Sequence, residues 1–462
     1  MEWKERKSLI NKYKELSKEN KVSWIILGAL TFIYFFTMYY VDMETTYLHS
    51  MSFVDCLING NLFNFYNYSI EHQYGGLPAT YFIPSYAVFA IWNLPNWIVS
   101  RLFGINPSSV GCLLWTKAIL IPFTILTVRE FVLILRNIED KDVEYKAFNL
   151  CSSLFFFLPL WAVAQYDIIE LFFMLWGLRI FLENRGMNLK CMLIFSVGIS
   201  FKAYAVFVYV ILLLVSEKRI WFILRDLLVG ASFSIVTLLP FIRGFFFASS
   251  SCNQNFLDSW TALKIHVGDG FDISVFFFVT ILIMLMAYFY DQYDERIILL
   301  FIAIFWCSFF TFTETNPYWL ILLIPFLLFI IDSKKIRYAY LFEIVAEIAM
   351  VCVQMNAKPW VFGGETSFSY LCLKGLSRKP GNIISIYGRA VEYTFIGKGK
   401  EVLFTLFVTI MVGLLLLSVY KVKDDRVGTS ENVIESEVIV RIIRLVMLVC
   451  FFIVTMWNAY LI

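Results

Sequence analysis

Asp42 and Glu44 stand where the first apolar run of this chain ends, in Tyr39-Tyr40-Val41-Asp42-Met43-Glu44. Carboxylates beside a membrane-spanning segment are costly unless water, a partner or a substrate receives them. A carboxylate placed there can take the proton from a hydroxyl acceptor as that oxygen attacks a sugar carbon. A second carboxylate nearby can raise its pKa, orient it or hold a divalent cation. With one residue between them, the two side chains share a direction only if the backbone is extended.

Three more polar points interrupt apolar sequence. Gln165-Tyr166-Asp167 separates the runs 151–164 and 168–182. Ordinary tight turns use Gly, Asn or Ser, so these residues suggest more than a linker. Lys202 lies inside Gly198-Ile199-Ser200-Phe201-Lys202-Ala203-Tyr204. An ammonium at membrane depth needs an anion or a water path, and a lipid phosphate serves; snorkelling to the interface is the plainer reading. Glu314-Thr315-Asn316-Pro317-Tyr318-Trp319 leads into the apolar run 320–331. Pro317 suits a helix start, and Tyr318 and Trp319 suit a membrane interface. Either aromatic face can also stack on a sugar ring.

The segment after Asp42 adds Asn64 to Tyr68 and Glu71-His72-Gln73-Tyr74-Gly75-Gly76-Leu77-Pro78. Its glycines and prolines suggest a shaped surface. His72 beside Glu71 is a candidate base or metal ligand. Glu44, His49 and His72 make a divalent-cation site on paper, although their spacing matches no ligand signature. His266 and Glu314 also fall in expected outer loops, as do Arg378 and Lys379. Sugar or acceptor binding is therefore expected from Glu71, His72, Gln165, Asp167, His266, Glu314, Asn316 and Trp319. The donor phosphate is expected at Lys202, with Arg378 and Lys379 sharing it.

What must position these residues is a membrane bundle. Hydrophobic residues make up 60% of the 462-residue chain, and its mean hydropathy is +0.73. Charged residues are 16%, against about 25% in soluble domains. Apolar stretches recur from end to end, so the expected class is an all-α polytopic membrane protein of about 12–14 membrane helices. A net charge of +2 argues against nucleic acid as a main partner. Nine cysteines are scattered, with no close pair, and Cys56, Cys252 and Cys372 fall in expected loops.

Residues 1–21 form a basic leader holding Lys4, Arg6, Lys7, Lys12, Lys14, Lys18 and Lys21, which the positive-inside rule keeps cytoplasmic. A membrane core follows over 22–356, with outer loops 42–78 and 243–273. The remainder, 357–462, is an outer loop with C-terminal membrane helices. Basic clusters at 136–146, 185–190, 218–225 and 421–426 all stay cytoplasmic if 79–100 dips into the outer leaflet and returns. Pro78, Pro84 and Pro95 favour that broken path; a plain crossing is the rival. The stretch 191–215 has basic loops on both sides and Lys202 inside, which predicts two half-depth helices meeting near Ser200-Phe201-Lys202.

In this order, the motifs resemble those of membrane glycosyltransferases using lipid-phosphate sugar donors, the GT-C superfamily, and especially its bacterial mannosyltransferase-like members. Asp42 occupies the place of that class's acid just past the first helix. Gly75 to Tyr86 resembles its Pro/Tyr-rich return. Gln165 to Asp167 is similar to its Gly-Gln-x-Asp turn, with Ala164 in place of Gly. Ser200 to Lys202 matches its Phe-Lys pair, and Pro317 to Pro325 its Pro-Tyr-Trp entry into an apolar run. The likeness covers about 20–330. It implies a GT-C-like bundle whose long first outer loop carries short interfacial helices. It implies hexose transfer, with inversion, from a polyprenyl-phosphate donor to a glycan or lipid acceptor. The site would face outward from a bacterial plasma membrane. Asp42 would be the base, with Glu44 as an orienting or metal-binding partner; Asp42-x-Glu44 departs from the Asp-x-Asp of some relatives, which leaves the divalent cation open. The rival functions are an envelope polysaccharide polymerase or ligase, and a lipid-linked glycan transporter. A transporter would typically show an internal repeat with paired broken helices, and the sequence shows none.

Overall fold

The computed structural model describes residues 17–39, 41–251, 256–331, 338–357, 369–370, 398–419 and 430–460. Among these the architecture is helical apart from two short antiparallel pairings. Five helices are long and apolar enough to cross a membrane: Lys18–Thr37, Val110–Asn137, Ile220–Ser250, Glu295–Phe312 and Gly399–Val419. Five shorter apolar helices accompany them: Ile83–Trp92, Leu189–Phe201, Ala205–Ser216, Val275–Phe289 and Tyr318–Ile330. The chain is a multi-pass membrane protein with an all-α bundle.

Long spans are fewer than 12–14 among the described residues because several expected spans are broken. A ten-residue helix rises about 15 Å, half of a hydrocarbon core of about 30 Å. The 79–100 stretch is two such helices, Ile83–Trp92 and Leu94–Phe103, meeting at Asn93, each with proline in its first turn. The 191–215 stretch breaks as its charge pattern predicts. Leu189–Phe201 ends, Lys202 is extended (φ −147, ψ 147), and Ala205–Ser216 resumes. The apolar run 151–164 falls in a broken element that passes from Val143–Ser152 through Leu154–Phe157 into a π-helical turn, Leu158–Ala162.

The 42–78 segment is more helical than its loop character suggests. After the two-residue strand Met38–Tyr39, an 18-residue helix covers Val41–Ile58, and Phe65–Glu71 follows. Together with Ile83–Trp92 they close around a second apolar core that includes Phe53, Phe65, Tyr66, Ile83, Tyr86 and Phe241. The chain reverses at Tyr74–Leu77, which form an isolated antiparallel bridge. Gly75 (φ 61) and Gly76 (φ 74) take two successive left-handed positions there, which glycine adopts without a Cβ clash. Cys56 lies in the Val41–Ile58 helix as a buried free thiol, not in a loop. Cys252 and Cys372 lie outside the described residues, as do leader residues 1–16 and most of 357–400.

Two buried cationic centres lock the bundle. Lys117 is fully buried, and its Nζ donates to the carbonyls of Tyr34 (3.1 Å), Phe35 (3.0 Å), Trp161 (2.7 Å) and Met38. The last carbonyls of a helix lack intrahelical partners and carry partial negative charge, so an ammonium fits there. Elsewhere, buried Arg444 pairs with Glu343 and Glu347 and donates to Asn149. Glu347 also accepts from Ser153 and from the Leu154 N–H. One helical turn away, Arg441 pairs with Glu144, which accepts from Trp24 at 2.7 Å. This network ties Lys18–Thr37 and Val143–Ser152 to Ala339–Ala357 and Ser430–Tyr460.

Candidate functional site

Helix restarts at Val41, which places Asp42 and Glu44 in a first helical turn. Two residues on a helix are about 200° apart, so the two carboxylates diverge. A shared direction needs extended backbone, and here the backbone is helical. Asp42 instead meets the Gln165 turn: Gln165 Nε2 donates to Asp42 Oδ2 at 3.1 Å.

That turn is built by the π-helical end before it. Ala164 takes a left-handed φ of 59, and the Gln165 N–H donates to the Pro159 carbonyl at 2.9 Å. This is a Schellman-like helix end, whose left-handed position favours glycine. Helix resumes at Asp167, so its buried carboxylate sits at a helix N-terminus, where negative charge is favoured.

Lys202, freed by the break in its helix, pairs with Asp167. Its Nζ lies 5.1 Å from the Tyr81 ring centre and 5.0 Å from that of Tyr166, within cation–π range. Those two rings meet edge-on at 5.4 Å, and the Tyr166 hydroxyl is 2.9 Å from Thr46 Oγ1. Glu170, one turn beyond Asp167, accepts the Ala205 N–H at 2.7 Å and so caps the helix that restarts after Lys202. Asp42, Gln165, Asp167, Glu170 and Lys202 thus form one polar cluster drawn from distant parts of the chain. Burial raises the Asp42 pKa. Lys202 and the Gln165 hydrogen bond oppose the rise, and Asp167 adds to it.

Several buried polar atoms here have no hydrogen-bond partner: Gln165 Oε1, Asp167 Oδ2, Glu170 Oε2 and Trp319 Nε1. Each such atom costs about 1–3 kcal/mol unless something polar meets it. Trp319 is buried, with its ring 5.1 Å from that of Tyr204, two residues past Lys202.

Other expected site residues have local partners. Asn316 donates to the Tyr318 hydroxyl at 3.1 Å. Glu314 is exposed, and its N–H donates to the Ser259 carbonyl. Glu71 is exposed at a helix end. His72 stacks on Tyr68 with ring centres 4.1 Å apart, and His266 pairs with Asp272 at 2.9 Å. His49 is buried with Nε2 3.0 Å from the Leu77 carbonyl. A carbonyl only accepts, so Nε2 carries the hydrogen; burial lowers this histidine's pKa to about 4. Among the described residues no group of three or more His, Cys, Asp or Glu is disposed to hold a metal ion. Glu44, His49 and His72 therefore do not assemble the cation site drawn from sequence: His49 is locked on Leu77 and His72 on Tyr68. Arg378 and Lys379 lie outside the described residues, but the strand Ser369–Tyr370 before them pairs with Met38–Tyr39, just ahead of Asp42.

The sequence reading missed Glu170, Tyr81 and Lys117. Glu170 and Lys117 each left a signal, a charge inside apolar sequence, like the one that drew notice to Lys202.

The chain matches no family model, no curated protein and no solved structure. What fold and composition define is therefore a class: a polytopic, mostly helical membrane protein. Within it, a carboxylate-rich cluster sits beside the end of the first helix.

Proposed function

We propose that this protein is a membrane glycosyltransferase that moves a hexose from a polyprenyl-phosphate donor to a glycan or lipid acceptor at the outer face, with inversion. The observation that carries this reading is the meeting of Asp42 with Gln165 and of Asp167 with Lys202. These belong to three separate motifs of the resemblance, and they form one cluster.

Asp42 takes the acceptor hydroxyl's proton as the acceptor oxygen bonds to the anomeric carbon. The bond from that carbon to the phosphate oxygen breaks, and polyprenyl phosphate leaves with the electron pair. That leaving group is already ionised, so no strong general acid is needed. An ammonium has three protons, and Asp167 engages one of them. Lys202 therefore keeps donors for a phosphate oxygen. One ammonium stands among three carboxyl groups here, so phosphate binding needs further positive charge. Arg378 and Lys379 supply it in this reading, from a segment whose preceding strand is paired beside Asp42. Gln165, Asp167 and Trp319 offer unmatched polar atoms to sugar hydroxyls.

The test is transfer by purified protein in nanodiscs, using a panel of polyprenyl-phosphate hexoses with lipid and glycan acceptors. At least one donor should give product, and Asp42→Asn should lower the rate by a factor on the order of 10² or more. Near-normal turnover by Asp42→Asn, or no product from any donor that the wild-type chain binds, would overturn the proposal.

A further inference from the structure

Between the long helix Ile220–Ser250 and the helix Val275–Phe289, the chain forms a two-stranded ribbon, Lys264–Gly268 with Phe271–Ser274. Its register pairs Lys264 with Ser274, Ile265 with Ile273, His266 with Asp272 and Gly268 with Phe271, with a bulge between His266 and Gly268. Side chains alternate along a strand, and directly paired residues share a face. Ile265, Ile273 and Phe271 therefore lie on one face. Lys264, His266, Asp272 and Ser274 lie on the other. The ribbon is two-sided in chemistry, yet its apolar side is uncovered: Ile265 is 56% exposed, Phe271 73% and Ile273 44%.

Two observations say what covers it. First, the ribbon is continuous with membrane-embedded structure. Ser274 leads directly into Val275–Phe289, and the Val275 N–H donates to the Leu263 carbonyl at 3.1 Å, tying the ribbon's base to that helix's first turn. The helix presents exposed Phe278, Ile281, Leu282, Leu285 and Phe289 along its length. Second, that helix is short. Its 15 residues rise about 22 Å, roughly 8 Å less than the hydrocarbon core. With its other end at the opposite border, its ribbon end falls about 8 Å inside the apolar layer, the depth at which interfacial elements bury an apolar face.

We infer that this ribbon is a membrane-surface anchor, lying flat on the bilayer where Val275–Phe289 ends. Ile265, Phe271 and Ile273 face the acyl chains, and Lys264, His266 and Asp272 face water. Full immersion is excluded, because the unpaired N–H and C=O groups along both strand edges have no partner in hydrocarbon. At the interface those edges stay hydrated, while the apolar face leaves water, as in an interfacial amphipathic helix. The His266–Asp272 pair then sits on the watery side. This inference holds whatever reaction the polar cluster performs.

The test places an environment-sensitive fluorophore on a single cysteine, in a chain cleared of its nine native cysteines and reconstituted in liposomes. At Ile265 the emission should shift to the blue and be quenched by lipid-borne doxyl groups, but not by iodide. At the neighbouring His266 the pattern should reverse. Equal iodide quenching at both positions overturns the inference. The unaltered chain gives a second reading, by photolabelling with a lipid carrying a diazirine on its acyl chain. Adducts should appear at Ile265, Phe271 or Ile273, and not at Lys264 or Asp272. Adducts on 275–289 with none on 264–274 overturn it equally.

Discussion

Lys117→Met keeps most of the side chain's volume and deletes its ammonium. Four carbonyls lose a donor: Tyr34, Phe35 and Met38 at the end of the first helix, and Trp161 in the π-helical turn. A buried acceptor left unmatched costs about 1–3 kcal/mol. These losses do not simply add, because the Tyr34 carbonyl keeps the Met38 N–H and the variant also escapes the cost of burying an ammonium. A hydrogen bond to a charged group contributes about 1.5–3 kcal/mol, and a net loss of stability on the order of 3 kcal/mol is expected. The damage should also reach the polar cluster. One side of this pin leads to Asp42 and the other to Gln165, so their 3.1 Å contact loses its shared support. Reversible unfolding in mixed micelles measures the first effect. The second reads as a rate loss larger than the loss of folded protein. A stability change below about 1 kcal/mol, in the range of ordinary surface substitutions, would refute the reasoning.

A base works only when ionised, and burial raises the Asp42 pKa. The transfer rate should therefore climb with pH through that raised value and then level off, and Asp42→Asn should abolish this limb; an identical limb in the variant assigns it to another group. Lys202→Met should weaken binding of a polyprenyl-phosphate sugar more than it weakens the fold, and an unchanged isotherm removes the phosphate role. Ala164→Gly relieves a left-handed alanine, so it should raise thermal stability by about 0.5–1 kcal/mol at unchanged rate; destabilisation would show that the methyl packing matters more. Single cysteines at Asn67 and His266 should label from outside intact cells, as should Asn382, which lies outside the described residues, and Asn137 only after lysis; labelling of Asn137 from outside means that 79–100 crosses fully.

Much of the architecture was legible because charge in apolar sequence is expensive. The break at Lys202 follows from one lysine and two flanking basic loops, and the structure puts the interruption there. The Gln165–Asp167 turn announced itself by residue types that simple turns avoid. The direction of Glu44 was not legible, because it depends on whether helix resumes at Val41, and the intervening strand Met38–Tyr39 is fixed by pairing with distant Ser369–Tyr370. The 42–78 segment read as loop because its helices are polar on one side. Their apolar side packs a core with Phe241, far along the chain. The breaks inside expected spans were hidden for a similar reason. Periodicity marks apolar stretches, but a π-helical end or an Asn93 junction depends on tertiary packing. Tyr81 was invisible because an aromatic residue near a membrane has many ordinary uses.

The Arg444 network bears on how the chain is made. Glu343 and Glu347 emerge from the ribosome about a hundred residues before Arg444, their only arginine partner among the described residues. A charge near the centre of an isolated inserting helix costs up to about 3 kcal/mol. Until the last helix arrives, Ala339–Ala357 is therefore a poor substrate for the bilayer, and Arg441 and Arg444 make Ser430–Tyr460 an equally poor one alone. The shared ion pairs favour settling the two helices together. A chain truncated before residue 430 would leave Glu343 and Glu347 without their arginine, with Glu347 held only by Ser153 and the Leu154 N–H. That is a mark by which a membrane protease can tell an unfinished molecule from a finished one.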